Sequence, residues 1–452
     1  MSRFFAYDPN QAYLLPPSVQ DILGKAHLCF WVHWAVEQLE VSEFEQAYAA
    51  EGRLAYPPRM MLKVWLYGFC LRVTSARRLE RRIHEDLGFR YLAGGLCPDH
   101  KTLSEFLRRH RRAINDVFTQ VVQMARRAGL GKLGHVAIDS TRVAANARRQ
   151  RVVDVERMQW ARDRRLVRAF QQKASEQDEE EDGGMQLWEE ERKALEQQSV
   201  PALPKKGRPQ VSLTDPESRF LRTARGWELG YTADLAVSDD HLIVAARVTQ
   251  NATDNASLSP MVEAVERNCR ARPERVTGDA GFFSGRAVRE LQQRGMDVYV
   301  PDNNLRHEMR SGEKAQGIGK QRIRDPEHLR LREKLRSASG RKQYQRRQAV
   351  VEPVFGILKE QRGMRKFQRR GLAAVNTEWT LATIAYNLTR MAGAGLLIAS
   401  SSRATWLAHL RWSSLFYLAH PQLQHRLRRD DTSPHTFSSA RNQNSTRFPI
   451  PT

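Results

Sequence analysis

The sequence predicts an α/β fold, in which a mixed sheet carries helices on its faces and an all-α domain precedes it. Two observations lead to this prediction. Residues 15–130 show the apolar period of amphipathic helices, and from Gly134 the pattern changes to short apolar strands that alternate with helices. A third observation concerns chemistry, because acidic residues end two of these apolar runs. Alternating strands and helices predict one layered sheet covered by helices.

Residues 1–130 are predicted to form a helical domain, which is a candidate DNA-binding domain. A proline pair at 57–58 opens a nearly all-apolar segment, 60–69, which is typical of the central helix of a bundle. After a short break, residues 76–83 and then 103–112 form two amphipathic helices with arginine-rich faces. Helix, turn and basic helix is a pattern compatible with DNA binding by a helix-turn-helix. Any helical bundle with a solvated basic face gives the same pattern, so the DNA contact is left open at this point.

Residues 131–395 are predicted to form the sheet-containing domain. Its elements are a strand at 135–138, a hairpin of strands at 229–237 and 242–249, a helix at 258–268, a strand ending at Asp279, a helix from Ser284 and a strand at 296–300. This order places Asp139 and Asp279 at the carboxyl ends of strands. Functional sites of α/β proteins usually form at that edge of the sheet.

Three charged segments interrupt or follow this pattern. Residues 147–205 are predicted to be a charged arm or linker with a helix at 157–168, and residues 303–343 a basic insertion. Residues 396–452 are rich in Ser, Arg and Asn, and we expect a basic, disordered tail there.

The charge of the chain favours a polyanionic partner. Lys and Arg number 73 against 51 Asp and Glu, a formal net charge of +22. Nucleic acid is preferred to a membrane, because the most apolar stretch, 381–399, carries Asn387 and Arg390 at its middle and is predicted to be a buried helix. The four cysteines are widely spaced, which indicates neither a disulfide framework nor a zinc ribbon. The sequence starts without a signal peptide, so we expect a cytoplasmic protein.

Three acidic residues are the strongest candidates for a catalytic site. Asp139 and Asp279 each end an apolar run, and Glu352 lies in a helical stretch far downstream. One such Asp is weak evidence, because many strands end in a turn-forming Asp. Two carboxylates at strand ends and a third on a helix would form an all-oxygen anionic cage, which suits two Mg²⁺ ions acting on phosphodiesters.

With these residues the chain resembles the DDE transposases of bacterial insertion sequences. Asp139 and Asp279 match the acids of their ribonuclease H-like catalytic core, and Tyr344, Arg347, Glu352 and Lys359 resemble the Tyr-Arg-Glu-Lys signature of one large group. The helical block 56–112 and the stretch 214–219 are also similar to family segments. One spacing departs from the signature. Four residues separate Arg347 from Glu352 where the family usually has three, and Pro353 predicts that Glu352 starts or kinks its helix.

The resemblance implies roles for the individual residues. Asp139 and Asp279 would hold one Mg²⁺, Glu352 and Asp139 the other, and Mn²⁺ can substitute. If the helix is continuous, Lys359 shares a face with Glu352 and would hold a phosphate beside the metals.

Further residues of this region are expected to contact DNA. Tyr344 would stack on a base or bind a phosphate, and Arg347 is assigned to DNA binding by the same signature. Residues 301–370 hold 20 Lys and Arg against 8 Asp and Glu, and Arg362 is among the expected backbone contacts.

The implied function is Mg²⁺-dependent cleavage at transposon ends and strand transfer into target DNA. The partners would be the terminal inverted repeats and the target, bound by a homodimer in the cytoplasm, at the bacterial nucleoid. Two alternatives remain open: a metal-dependent nuclease without strand transfer, and a DNA-binding regulator that has lost catalysis. Inverted repeats in the DNA that flanks the gene would favour the transposase.

Overall fold

The computed structural model describes residues 18–24, 26–48, 54–148, 152–154, 210–223, 226–251, 253–311 and 325–395. The predicted helix at 157–168, most of the charged arm and the tail 396–452 lie outside the described residues.

Helices alone make up the regular structure of the described residues before Leu130, as predicted. They are α1 (Val19–Ile22), α2 (Leu28–Glu37), α3 (Ser42–Gln46), α4 (Pro58–Cys70), α5 (Ala76–Glu85), α6 (Leu87–Ala93), α7 (His100–Arg109) and α8 (Arg111–Arg127). Every residue of α4 from Met60 to Cys70 is buried, which confirms α4 as the central helix. The two predicted basic helices correspond to α5 and α7, and Asp99 caps the second by accepting a hydrogen bond from the Thr102 amide at 2.7 Å.

A mixed sheet follows. Its strands are β1 (Val136–Ala144), β4 (Arg219–Thr223), β5 (Gly226–Ser238), β6 (Ile243–Thr249), β7 (Arg275–Gly278) and β8 (Asp297–Tyr299), while β2 (Val152–Asp154) and β3 (Gln210–Ser212) form a separate pair. Strand β5 is antiparallel to β1 on one side and to both β4 and β6 on the other, and β1, β7 and β8 are parallel. This mixed sheet, preceded by an all-α region, confirms the predicted fold class and is consistent with a ribonuclease H-like core.

The remaining helices lie around the sheet. They are α9 (Leu258–Cys269), α10 (Gly285–Gln293), α11 (Asn303–Ser311), α12 (Pro326–Arg336), α13 (Ala338–Gly356) and α14 (Leu372–Gly393). A π-helical turn, Ile357–Gln361, continues α13 directly. Helix α13 packs against β1, β5 and β7, so its side chains can reach the ends of the strands that carry the two aspartates.

Glu352 does not start its helix, and the prediction of a helix start before Pro353 is therefore wrong. Helix α13 begins fourteen residues earlier, at Ala338, and passes through both residues. Proline removes one backbone donor from a helix interior and strains the preceding turn. Here Val350, Val351 and Val354 are buried on the inner face of the helix, and their packing on the sheet holds α13 in place across the proline.

Helix α14 joins the N-terminal helices to the sheet. It packs against α4, α8 and β6. The Trp31 indole donates to the Leu388 carbonyl at 2.9 Å, and Asn387 is fully buried with its amide paired to the backbone of Ile243. The prediction of a buried helix in this apolar stretch is therefore confirmed from Leu381 to Met391, and the helix ends at Gly393. No helix among the described residues has the length and apolarity that crossing a bilayer requires.

Candidate active site

Two neighbouring parallel strands bring Asp139 and Asp279 side by side. The last residue pair of β1 and β7 is Ile138 with Gly278, and each aspartate follows its member of that pair directly. Asp279 lies immediately after β7, as predicted. The geometry follows from the parallel register, which carries both chains to the same edge of the sheet.

The prediction that Asp139 ends its strand is wrong. Strand β1 continues to Ala144, because β5 keeps pairing with it from Leu235, opposite Asp139, to Gly230. The pairing of β1 with β7, on the other side of β1, ends at Ile138, directly before Asp139. The carboxylate therefore stands where one edge of β1 becomes open while its backbone stays fixed by the opposite edge.

Arg347 on α13 lies between the two carboxylates. Its Nη1 donates to Asp139 Oδ2, and its Nη2 is 3.9 Å from Asp279 Oδ1. The guanidinium is only 9% exposed, and the Asp139 side chain 19%. The amide of Ser140 donates to Asp139 Oδ1 at 2.8 Å, so both oxygens of this carboxylate are fixed. Arg347 was expected to bind DNA, and in this arrangement its charge is used within the protein.

Two further donors hold Asp279. The Tyr344 hydroxyl donates to Asp279 Oδ1 at 3.3 Å, and Arg306 Nη1 donates to Oδ2 at 3.2 Å. Arg306 lies in α11, within the segment predicted as a basic insertion. Sequence reasoning missed it because nothing but its charge marks it among the many basic residues of that region.

The electrostatics of the site are set by burial. Burial raises the pKa of Asp139 to about 6, an effect that the Arg347 cation opposes and the Asp279 charge reinforces. Burial also raises the pKa of the Tyr344 hydroxyl to about 12, with the Asp279 charge adding to the effect. The ionised Asp139 is thus poorly solvated, and a cation next to it is favoured.

Lys359 lies in the π-helical turn and is half-buried. Burial and nearby Arg365 lower the pKa of its ammonium group, whereas Glu360 and the Asp139 carboxylate oppose that shift. The influence of Asp139 means that the lysine is close enough to the acid pair to interact with it. A continuous α-helix between Glu352 and Lys359 was the condition for their shared face, and the π-helical turn alters that register because it holds more residues per turn.

Glu352 is exposed on α13. Within the part of the chain that the structure describes, no group of three or more His, Cys, Asp or Glu side chains is placed to hold a metal ion. The strands bring Asp139 and Asp279 together. Glu352 does not form a three-carboxylate group with them in this arrangement.

Arg362 does not have the setting of a DNA contact. It is 8% exposed, and its guanidinium donates to the Cys70 carbonyl of α4 and, at 2.6 Å, to Thr389 Oγ1 of α14. This setting does not favour the predicted phosphate contact, because Nη1 and Nη2 of Arg362 both donate to protein acceptors.

The donor set of the acid pair fits a hard divalent cation. Asp139 and Asp279 present carboxylate oxygens, the ligand type that Mg²⁺ prefers, and Arg347 already supplies a positive charge between them. In this structure the Arg347 cation partly neutralises the two carboxylates.

Two protein families match the chain. The transposase DDE domain matches residues 203–388, and the transposase domain called DUF772 matches residues 18–109. Together they cover more than half of the 452 residues, in the predicted order. The chain belongs to the DDE transposases of insertion sequences. No curated protein and no solved structure matches it.

A DDE transposase is an enzyme that cleaves DNA and transfers its strands, and the family generally uses divalent metal ions. Asp279 and Glu352 fall inside the DDE match, whereas Asp139 lies between the two matched ranges. The matches do not extend to single residues, so the Tyr-Arg-Glu-Lys assignment stays a prediction.

The stretch 214–219 of this transposase supports the fold rather than the acid pair. Asp215 is fully buried and accepts hydrogen bonds from the Tyr231 hydroxyl at 2.7 Å and the Gly371 amide at 3.2 Å. Glu217 accepts one from the Leu372 amide at 2.7 Å. These bonds satisfy donors at the start of α14, where a helix leaves amides without internal partners.

Proposed function

We propose that this transposase cleaves the phosphodiester bonds at the ends of its insertion sequence and joins those ends to target DNA, with two Mg²⁺ ions held by Asp139, Asp279 and Glu352. The observation that supports this most is that Asp139 and Asp279 directly follow the last residue pair of β1 and β7, with Arg347 between their carboxylates. Glu352 lies on the helix that packs over these strands, and in this proposal it completes the site when metal and DNA are bound.

The bound metal ions would supply an activated oxygen nucleophile and stabilise the leaving oxygen of the scissile bond. The protein's own part is to hold the two carboxylates at a fixed separation and to keep them ionised. Arg347 helps to keep Asp139 ionised, because its charge opposes the rise in the pKa of Asp139 that burial causes. An entering cation would compete with the guanidinium for the same oxygens, and a displaced Arg347 could then bind a DNA phosphate.

Lys359 and Tyr344 are proposed to orient the scissile strand. Lys359 interacts electrostatically with Asp139 and carries an ammonium group suited to a phosphate. The Tyr344 hydroxyl donates a hydrogen bond to Asp279, and the Tyr344 side chain is half-buried beside the site. Both residues are within reach of the acid pair without being metal ligands, as orientation of a phosphodiester requires.

The N-terminal helices are proposed to bind the terminal inverted repeats. Helix α5 buries Leu79 and Ile83 and exposes Arg78, Arg81 and Arg82 on its outer face. Such a row of cations binds phosphates and fixes the register of a protein on duplex DNA. A homodimer on DNA, in the bacterial cytoplasm at the nucleoid, completes this proposal.

The experiment that tests the function uses the DNA flanking the gene as the substrate. Full-length protein is incubated with Mg²⁺, a labelled duplex that carries one flank, and a supercoiled target plasmid. We expect cleavage at the element boundary and joined product, both abolished by EDTA and absent with a shuffled flank. Cleavage without joining would favour the nuclease without strand transfer. Specific binding without cleavage would favour the regulator.

A further inference from the structure

A third aspartate, Asp254, contacts both segments that carry the acid pair. It lies in the loop between β6 and α9. Its Oδ2 accepts a hydrogen bond from Ser140 Oγ at 2.9 Å, and its Oδ1 accepts one from Arg142 Nη1 at 3.2 Å. Ser140 is the residue whose amide donates to Asp139, so the Asp254 carboxylate anchors the side chain of the residue that orients the first acid.

The same carboxylate lies against the turn that follows the second acid. Asp279 leads into a 3₁₀ turn, Ala280–Phe282. A Cβ atom placed on Gly281 would be 3.2 Å from Asp254 Oδ2, which is tighter than nearly all real contacts of a Cβ atom. Glycine at position 281 therefore lets the backbone of this turn approach Asp254 closely.

Asp254 is itself held rigidly. Its side chain is 14% exposed, and its backbone carbonyl accepts from the Ser257 amide at 2.9 Å. Arg142, which neutralises it, also donates to Thr232 Oγ1 on β5 at 2.6 Å. The Asp254 carboxylate thus binds two side chains of β1 and lies against the turn after β7.

We propose that Asp254 is a positioning residue that sets the separation of the Asp139 and Asp279 carboxylates and so tunes their affinity for a divalent cation. The inference rests on the proposed function, because it assigns Asp254 a part in metal binding at that site. The effect of Asp254 passes through Ser140 on one side and the Gly281 backbone on the other.

The experiment measures Mn²⁺ binding to the full-length protein without DNA, by calorimetry or by the electron paramagnetic resonance signal of free Mn²⁺. We expect Asp254→Ala to weaken Mn²⁺ binding about 10- to 100-fold, the usual effect of losing a group that orients metal ligands. Ser140→Ala should also weaken Mn²⁺ binding, by a smaller factor than Asp254→Ala does. The double variant should be no weaker than Asp254→Ala, because Asp254 acts partly through Ser140.

The matched control is Glu266→Ala. Glu266 is also a partly buried acid paired with arginines, Arg272 and Arg294, and it lies on α9 away from the acid pair. We expect this variant to lose thermal stability and to bind Mn²⁺ as the wild type does.

Wild-type Mn²⁺ affinity in folded Asp254→Ala overturns the inference. Should that variant not fold, wild-type affinity in Ser140→Ala overturns it equally. A wild-type protein that binds no Mn²⁺, with or without the flanking DNA, would instead defeat the proposed function, so the two failures are distinguishable.

Discussion

Arg347 supplies the positive charge between the two carboxylates of the candidate active site. The signature assigned it to DNA, and the structure places it between Asp139 and Asp279. The sequence does not indicate which acidic residue Arg347 pairs with, because that contact depends on how α13 packs across the sheet. The two aspartates, by contrast, could be predicted from sequence, since each follows an apolar run of a parallel strand.

Replacing Arg347 by glutamine should make the protein depend on metal for its stability. The loss leaves two neighbouring carboxylates without their cation, and removing one partner of a buried pair costs on the order of 3 kcal/mol. We expect a lower melting temperature without metal, a larger upward shift on adding Mn²⁺ than in the wild type, and weaker cleavage.

Arg346→Gln is the control for this experiment. Arg346 is the exposed neighbour of Arg347, and it pairs with Asp239 at 2.8 Å. Equal Mn²⁺-induced shifts in the two variants would show that Arg347 does not neutralise the acid pair.

At the scale of elements, the helical and strand periods identified β1, β5, β6, β7 and β8 with the helices α9, α10 and α14, whereas the short strands β2, β3 and β4 and the helices α11 and α12 were not predicted. The extension of β1 past Asp139 was missed because Ser140 to Arg142 are polar, and only the pairing with β5 shows that they remain in the strand. The π-helical turn after α13 was also missed, since its residues carry an ordinary helical pattern. That turn decides where Lys359 and Arg362 point.

Lys359→Ala and Arg362→Ala should therefore fail in different ways. Lys359 lies near Asp139, so its loss should reduce cleavage more than DNA binding. Arg362 holds α4 and α14 together, and leaving its buried acceptors unpaired should lower the free energy of unfolding by about 1–3 kcal/mol. Denaturant unfolding, DNA binding and cleavage would be measured on both variants.

The converse result would contradict these assignments. A fully stable Arg362→Ala with weakened, less salt-dependent DNA binding would return that arginine to the DNA surface. A Lys359→Ala variant that cleaves as the wild type does would make Lys359 a surface lysine without a catalytic part.

At the scale of the whole molecule, the N-terminal helices and the sheet share one core through α14. Thr380 Oγ1 on this helix donates to Asn115 of α8 at 3.3 Å, and Cys70 Sγ of α4 donates to the Ala385 carbonyl at 3.7 Å. Composition and period could separate an all-α region from an α/β region, but they could not show that a helix near residue 380 completes the N-terminal bundle. Tests of DNA binding are therefore best made on the full chain.

We propose that Asp139 and Asp279 together hold the metal on which DNA cleavage depends. The test compares Mg²⁺-dependent cleavage of the flanking DNA by full-length wild type, Asp139→Asn, Asp279→Asn and the control Asp297→Asn. Asp297 begins β8, whereas Asp279 follows the end of the parallel strand β7, so the control acid lies at the opposite edge of the sheet. We expect both active-site variants to bind the DNA and to cleave none of it, while Asp297→Asn cleaves as the wild type does. Wild-type cleavage by Asp139→Asn or Asp279→Asn would contradict a metal site shared by these two residues.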